Sequence, residues 1–356
     1  MFFPGHPGQR FWRTGTAVNE PIAFVTGATG FMGRWVVKAL CKRGIHVRAG
    51  VHRVTSAGRL TDISNAEPVA IDILSQPSLL TALDGVDSVY HFAALIDPKA
   101  GKERLMQVNA EGTKNVWHCA ARRGVRKALY CSSAAVYGLL ASSAQPVSEE
   151  VRPRAIEPYG RSKLTGESIA REIGARSGLN TVVIRPAAVF GPGDSTPFGQ
   201  LLRSAAVSKL ILGGASAGWS FSFTHVEDVA EAAVHLMHSE GSESRIFNVA
   251  AEAISFDEAF QAYLHALERS GRSLWRARLW ARLSALAQRL PPIVNPPARL
   301  KRNRFVFPIW RPGFEITYTS GKLLETSFRF KWNRFEDVLL SCIAENKYEE
   351  RSAKTN

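Results

Sequence analysis

Residues Ile22–Gly44 read IAFVTGATGFMGRWVVKALCKRG. Ile22 to Thr26 is a short run of apolar, β-favouring residues bounded by Pro21 and Gly27, which predicts a strand. Gly27, Gly30 and Gly33 follow at three-residue spacing. Phe31, Val36, Val37 and Leu40 then recur at helical intervals, and Gly44 stands where a helix would stop. A strand, a glycine turn and a helix in this order aim backbone N–H groups and the positive helix end at a phosphate. Side chains at the tight positions would hold a pyrophosphate away, so glycine is needed. The spacing G-x-x-G-x-x-G is one residue longer than the usual G-x-G-x-x-G. Thr29, Phe31 and Met32 lie between these glycines and join the candidate cradle.

Working outward, His46–Val51 predicts a second strand, ending in His52 and Arg53 with Arg59 nearby. At this position an acidic residue binds the ribose 2′-hydroxyl of NAD, and a basic one accommodates the 2′-phosphate of NADP. No Asp or Glu stands here, and a guanidinium forks well onto phosphate oxygens. The reading favours NADP(H); NAD is the alternative if Arg53 is only a solvated loop side chain. Pro68–Ile71 predicts a third strand leading into Asp72 and Ile73. The Asp72 carboxylate can accept from an adenine amino group or can cap a helix. Pro77–Leu83 reads as a short helix, and Val86–Phe92 as a fourth strand running into Ala93 and Ala94, small enough to let a ligand approach the backbone. Gln107–Arg123 is a patterned helix closed by Gly124, and Lys127–Cys131 a fifth strand. This alternation predicts an α/β fold with a doubly wound parallel sheet.

The fifth strand runs into Ser132 and Ser133, and a polar loop leads to Tyr159-Gly160-Arg161-Ser162-Lys163, which opens a helix to about Arg176. Tyr159 and Lys163, four apart, share one helix face. A tyrosine has a reference pKa of about 10, so ionising it near pH 7 asks for about 4 kcal/mol of help, part of which an ammonium can supply. Y-x-x-x-K pairs are common on helix surfaces, and only its company gives this one meaning.

The combination resembles the extended short-chain dehydrogenase/reductase superfamily, the NAD(P)-dependent epimerase/dehydratase group. The matching segments are TGATGFMG (26–33), DI (72–73), HFAAL (91–95), VNAEGT (108–113), CSSAAVYG (131–138), YGRSK (159–163), RPAAVFGPGD (185–194) and FTHVEDVAEA (223–232). The resemblance implies a Rossmann-type sheet with a smaller C-terminal substrate lobe. It makes Tyr159 the acid/base, Ser133 the partner of the substrate oxygen, with Ser132 the second choice, and Lys163 the residue that holds the nicotinamide ribose and lowers the Tyr159 pKa. Pro186, after the strand TVVI and Arg185, marks where the chain leaves the dinucleotide fold. The implied division is a tail at 1–20, a cofactor domain at 21–185 with later returns, a substrate lobe at 186–346 and a tail at 347–356. Helices Gln107–Arg123 and Tyr159–Arg176 are implied as a homodimer interface. The second strand, VRAGVHR, is closer to the dihydroflavonol-reductase and 3β-hydroxysteroid-dehydrogenase-like branches.

One departure bears on the substrate. Sugar-nucleotide members carry Arg-Asp before F-x-x-V-x-D, whereas this chain has Phe221-Ser222. Phe221 cannot pair with a diphosphate, which points to a lipophilic small molecule; a sugar nucleotide held by Arg203 or Arg245 is the alternative. Further on, a helix is expected at Phe198–Ser208, a strand at Ile246–Val249 and a capping box at Ser255 and Glu258.

Charge is unevenly placed. Of a net charge of +14, nine Lys or Arg fall between Arg272 and Arg304 without one Asp or Glu, while elsewhere 36 basic residues face 31 acidic ones. A nucleic-acid footprint would spread further, so no nucleic-acid partner is expected. Ser273–Leu290 is helical by pattern. Trp275, Leu279, Leu283, Leu286 and Leu290 form a stripe flanked by Arg278, Arg282 and Arg289, either a helix lying on an anionic membrane or a lid on the substrate lobe. Cys41, Cys119, Cys131 and Cys342 form no C-x-x-C pair and have no histidines at metal spacing, so no metal is expected and the thiols suit a reducing compartment. With glycine and proline in MFFPGHPGQRFWRTG and no apolar run near ~18 residues, the expected setting is cytoplasmic, with peripheral membrane contact through 273–304.

Overall fold

The computed structural model describes residues 21–97, 99–138, 146–194, 220–242, 245–269 and 317–342. The strands are β1 (Ile22–Thr26), β2 (His46–Val51), β3 (Ala66–Ala70), β4 (Ser88–His91), β5 (Lys127–Cys131), β6 (Asn180–Pro186), β7 (Ala188–Phe190), β8 (Ser220–His225), β9 (Ile246–Val249) and β10 (Ala253–Ser255). Seven form one sheet in the order β3-β2-β1-β4-β5-β6-β9, every pair parallel. Strand order reverses beside β1, so the crevice past the carboxyl ends of β1 and β4 is where an open α/β sheet takes its ligand. A three-stranded sheet, β10-β8-β7, lies apart from it.

The helices are α1 (Phe31–Cys41), α2 (Gln76–Ala82), α3 (Gly101–Met106), α4 (Gly112–Arg122), α5 (Pro158–Ser177), α6 (Val226–His238), α7 (Phe256–Arg269) and α8 (Gly321–Glu325). One face of the large sheet packs against α1 and α6 through Val36, Leu40, Val229 and Leu236. The other packs against α2 and α4 through Leu79, Val116 and Trp117, joined by Ala170 of α5. With both faces covered, inner strands such as β1 read as continuous apolar runs rather than alternating ones. Trp117 is fully buried, and its Nε1 donates to Thr181 Oγ1 at 3.0 Å, so its one polar group is satisfied.

β1, β2, β5 and β9 occupy the residues read from the sequence. The helix expected at Gln107–Arg123 begins earlier, at Gly101, and passes through a π-helical turn at Gln107–Glu111 before continuing as α4. Periodicity of 3.6 does not register such a widened turn, which often marks a functional position. The capping box forms: Glu258 N–H donates to Ser255 Oγ at 3.2 Å and Ser255 N–H to Glu258 Oε2 at 2.9 Å. A closing segment docks on α6, where Asp228 accepts the backbone N–H groups of Lys331 at 2.9 Å and Trp332 at 3.0 Å. The helix expected at Phe198–Ser208, the segment 273–304 and the tails at 1–20 and 347–356 lie outside the described residues.

Candidate functional site

Gly27 has φ +66°, and a Cβ there would stand 2.8 Å from Ala93 N. A Cβ on Gly33 would stand 2.1 Å from Gly27 O. Both glycines therefore serve the approach of chain to chain, where the sequence suggested approach to a ligand. Gly30 is the exposed member of the three. It begins α1 without any side-chain cap, and no acidic residue lies in the first turn. The first-turn amides keep their affinity for an anion, and the cradle fits a phosphate-bearing cofactor. Phe31 and Met32 are half-buried, Met32 packing against the core beneath, and Thr29 offers its carbonyl to Arg59 Nη1 at 3.3 Å.

His52 and Arg53 follow β2 and are exposed. A further cation stands on α1. Arg34, in the first turn of α1, donates through Nε to Arg59 O at 2.7 Å and through Nη2 to both oxygens of Asp62, at 2.8 and 2.7 Å. Its partners lie 25 and 28 residues away, beyond any local pattern. Asp72 does not cap α2; Ser75 does. Asp72 Oδ1 instead accepts from Leu74 N–H at 2.9 Å, an Asx turn that the chain composition could not distinguish from a cap. Ile73 gives its carbonyl to Asn115 Nδ2 at 3.1 Å, Ala93 N–H donates to Thr26 Oγ1 at 3.1 Å, Ala94 is half-buried, and Pro186 ends β6 buried.

At the end of β5 the two serines diverge. Ser132 Oγ donates to Glu167 Oε2 at 2.9 Å, inside the protein. Ser133 opens the short 3-10 turn Ala134–Tyr137, accepts from Ala135 N–H at 3.1 Å and is hydrogen-bonded to the Tyr159 phenol. The expectation that Lys163 lowers the Tyr159 pKa is not met in the protein by itself. Burial pushes the phenol well above the usual tyrosine value, the Cys131 thiol adds to this, and only the Ser133 bond pulls it down. Tyr159 is thus held as a proton donor. Lys163 is buried, with Nζ 4.3 Å over the Tyr130 ring. Burial pushes its pKa down to about 8, partly offset by Cys131 and Glu167.

A buried polar chain joins the glycine turn to this point. Thr113 Oγ1 donates to Asn109 O at 2.7 Å, so it accepts from His91 Nε2–H at 3.0 Å. His91 Nδ1 then accepts the Thr26 hydroxyl at 2.7 Å. Asn109 Nδ2 donates to Ser162 Oγ at 2.9 Å, and Ser162 Oγ donates to Tyr159 O at 2.7 Å. Burial pushes His91 down to about 3, which matches the neutral ring this pattern requires. His91 and Asn109 stood within HFAAL and VNAEGT, but only the fold shows what they hold.

Phe221 packs edge-on against Phe335, centroids 5.7 Å apart, among the apolar residues of the small sheet. Ser222 Oγ accepts from Tyr318 N–H at 2.9 Å. Arg245 stands just before β9, at the opposite end of the sheet from Ser133, and its guanidinium lies over Phe247 at 5.4 Å. The alternative diphosphate arginine is therefore remote from the site; Arg203 lies outside the described residues.

Residues 23–250 match the model of the NAD dependent epimerase/dehydratase family. The chain belongs to that family. Its place is within the extended short-chain dehydrogenase/reductase superfamily. Curated relatives include sterol demethylase protein B of Methylococcus capsulatus, 35% identical over 49% of this chain and 53% of that protein. The 3-beta-hydroxysteroid dehydrogenase of Mycolicibacterium neoaurum is 29% identical over 60% and 61%. The UDP-glucose 4-epimerase of Azospirillum brasilense is 31% identical over 56% and 59%. The matches thus span between about half and three fifths of these relatives' lengths. The crystal structure of gox2253 superposes with a TM-score of 0.70 at 25% identity, covering 93% of this chain and 99% of that one.

Proposed function

We propose that this family member transfers a hydride between nicotinamide and a carbonyl or secondary alcohol of a lipophilic small molecule, sterol-like in class. The observation that carries the reading is the Ser133 hydroxyl on a half-buried, protonated Tyr159 phenol, with the buried Lys163 ammonium one helical turn on. Nicotinamide, when bound, supplies or takes the hydride. Thr29, Gly30, Phe31 and Met32 would hold its pyrophosphate on the turn that Gly27 and Gly33 allow to close, Asp72 and Ile73 its adenine, and Ala93, Ala94, Pro186 and Lys163 its nicotinamide end, with Ser132 behind them on Glu167. Tyr159 gives its proton to the substrate oxygen in reduction and takes it back in oxidation, and Ser133 donates a hydrogen bond to that oxygen. His52 and Arg53, with no acidic residue beside them, favour NADP(H) over NAD.

Support for a lipophilic substrate comes from Phe221 among Phe190, Phe223 and Phe335, and from relatives named for sterol chemistry. The relative named as a UDP-glucose epimerase keeps a second reading open, a sugar-nucleotide epimerase with tightly held NAD. Mass measurement of the cofactor retained on purification separates the two. Oxidation of a 3β-hydroxysteroid probe with NADP⁺, lost in Tyr159→Phe, tests the first; turnover of UDP-glucose alone would replace it. The proposal further has residues 186–346 cover the substrate, residues 273–304 touch an anionic membrane surface from the cytoplasmic side, and two copies pair through α4 and α5.

A further inference from the structure

Among the described residues, one buried ion pair is not used by the proposed chemistry. Glu167 and Arg185 are each 2% exposed. Arg185 Nη2 donates to Glu167 Oε1 at 2.5 Å and Nε to Oε2 at 3.1 Å, a fork-to-fork contact. Such a pair is weak evidence of stability, since two desolvated charges offset most of their own attraction. Its neighbours suggest another reason for keeping it.

Glu167 lies one helical turn after Lys163 and also accepts the Ser132 hydroxyl at 2.9 Å. Arg185 Nη1 donates to Tyr137 Oη at 2.8 Å, and its guanidinium lies 4.8 Å from the centre of that ring. Tyr137 Oη donates a hydrogen bond to Asn248 Oδ1 at 2.8 Å. Asn248 Nδ2 donates to Val147 O at 3.1 Å and Thr319 O at 3.2 Å. Ser133 therefore sits on a six-residue piece of chain, 132–137, whose two ends are tied to one buried ion pair. That tie adds to the Ser132 N–H bond to Ile184 O at 2.8 Å and to the packing of Ala134, Val136 and Tyr137 against Val147.

We propose that Glu167, clamped by Arg185, is a positioning residue: it holds Ser132–Tyr137 so that Ser133 stays on Tyr159, and keeps a carboxylate one turn from the Lys163 ammonium. This rests on the reading of Ser133, Tyr159 and Lys163 given above. The groups facing Lys163 are the Tyr130 ring and Cys131 from β5, His91 from β4, and Glu167 from its own helix. Of these Glu167 is the one carboxylate, and it raises the Lys163 pKa against the burial that lowers it.

Two measurements test this without any substrate. The first titrates Lys163 in protein carrying ¹³C-labelled lysine, its side-chain NMR signal assigned by loss in Lys163→Arg, between about pH 6 and pH 10. Glu167→Gln keeps the shape and removes the charge, and is expected to shift the midpoint down by about one pH unit, a tenfold loss of proton affinity. A folded Glu167→Gln protein with an unmoved midpoint overturns the proposal. The second uses Ser132→Ala, which removes one hydroxyl and leaves the ion pair in place. Amide hydrogen exchange over 132–137 is expected to rise about tenfold or more while the sheet strands keep their protection. Unchanged protection overturns the positioning role, even if Glu167→Gln fails to fold. Neither result depends on turnover, so loss of activity in Tyr159→Phe beside negative outcomes here would leave the proposed reaction standing and remove this inference alone.

Discussion

At the β1–α1 turn, seven consecutive residues, Gly27 to Gly33, close on one another; at the end of β5, Ser133's own segment, 132–137, is held by groups from α5, β6 and β9. The turn is made of backbone. Gly30 N–H donates to Gly27 O at 2.9 Å, Arg34 N–H to Gly30 O at 3.1 Å, and the absence of side chains makes the contacts fit. The β5 junction is made of side chains: Glu167, Arg185, Tyr137, Asn248 and Ser132, all buried. A turn built from local backbone survives transfer between proteins as a string of letters. A junction built from buried charge and hydroxyls survives only as a set of distances, and a change in one member is felt by all.

The difference can be broken at either end. The largest effect is expected at the junction. Tyr159→Phe should lower turnover by about 10²–10⁴-fold with cofactor affinity little changed, the range for losing a general acid/base; initial rates and a cofactor titration check both halves. Near-normal rates would show that the junction is architecture alone. At the turn, Gly33→Ala should cost at least about 2 kcal/mol, because its Cβ would meet a backbone carbonyl that cannot move aside. Gly58→Ala, with nothing within 4 Å, is the near-neutral control in the same denaturant melt.

Acid should act on His91, in the chain of groups that links the two, and on His225, which caps the start of α6. Burial holds His91 down to about 3 and His225 down to about 4, both below the ordinary histidine value near 6.5. Unfolding lets each take a proton, so the unfolded state gains as pH falls below about 6.5. Each group should remove about 1.4 kcal/mol of stability per pH unit, His225 down to about pH 4 and His91 down to about pH 3. Urea melts at pH 7, 6 and 5 measure this, and a flat profile would mean that these rings are not held neutral.

Arg53→Asp tests the side-chain half of the turn region. The wild type should prefer NADPH, and the variant should erase or reverse the preference, a change on the order of tenfold or 1.4 kcal/mol. A wild type favouring NADH by that margin removes the NADP proposal. The smallest effect per group belongs to residues 273–304. Each basic residue near an anionic bilayer is worth about 1 kcal/mol, screened as the Debye length falls to about 3 Å at 1 M salt. Co-sedimentation with anionic and neutral vesicles, with and without that segment, checks it; indifference to anionic vesicles at low salt would favour a lid.

The sequence by itself determined the parallel sheet, the glycine turn, the family and the candidates Ser133, Tyr159 and Lys163. The sheet, the turn and the Tyr–Lys pair are local strings whose periodicity or spacing carries the physics: apolar runs for strands covered on both faces, glycine where backbone meets backbone, and a Tyr and a Lys one helical turn apart; the family and the choice of Ser133 follow from the resemblance of the motifs. Tertiary structure decided which serine faces Tyr159, that Ser75 rather than Asp72 caps α2, that the Tyr159 phenol is raised and not lowered, and that Arg245 lies at the far end of the sheet. It also brought His91, Asn109, Glu167 and Arg185 to the site. The reason is common to all of these. Desolvation and hydrogen bonding depend on what surrounds a group in space, and Thr26 and His91, or Ser132 and Glu167, are neighbours only after the sheet has closed over them.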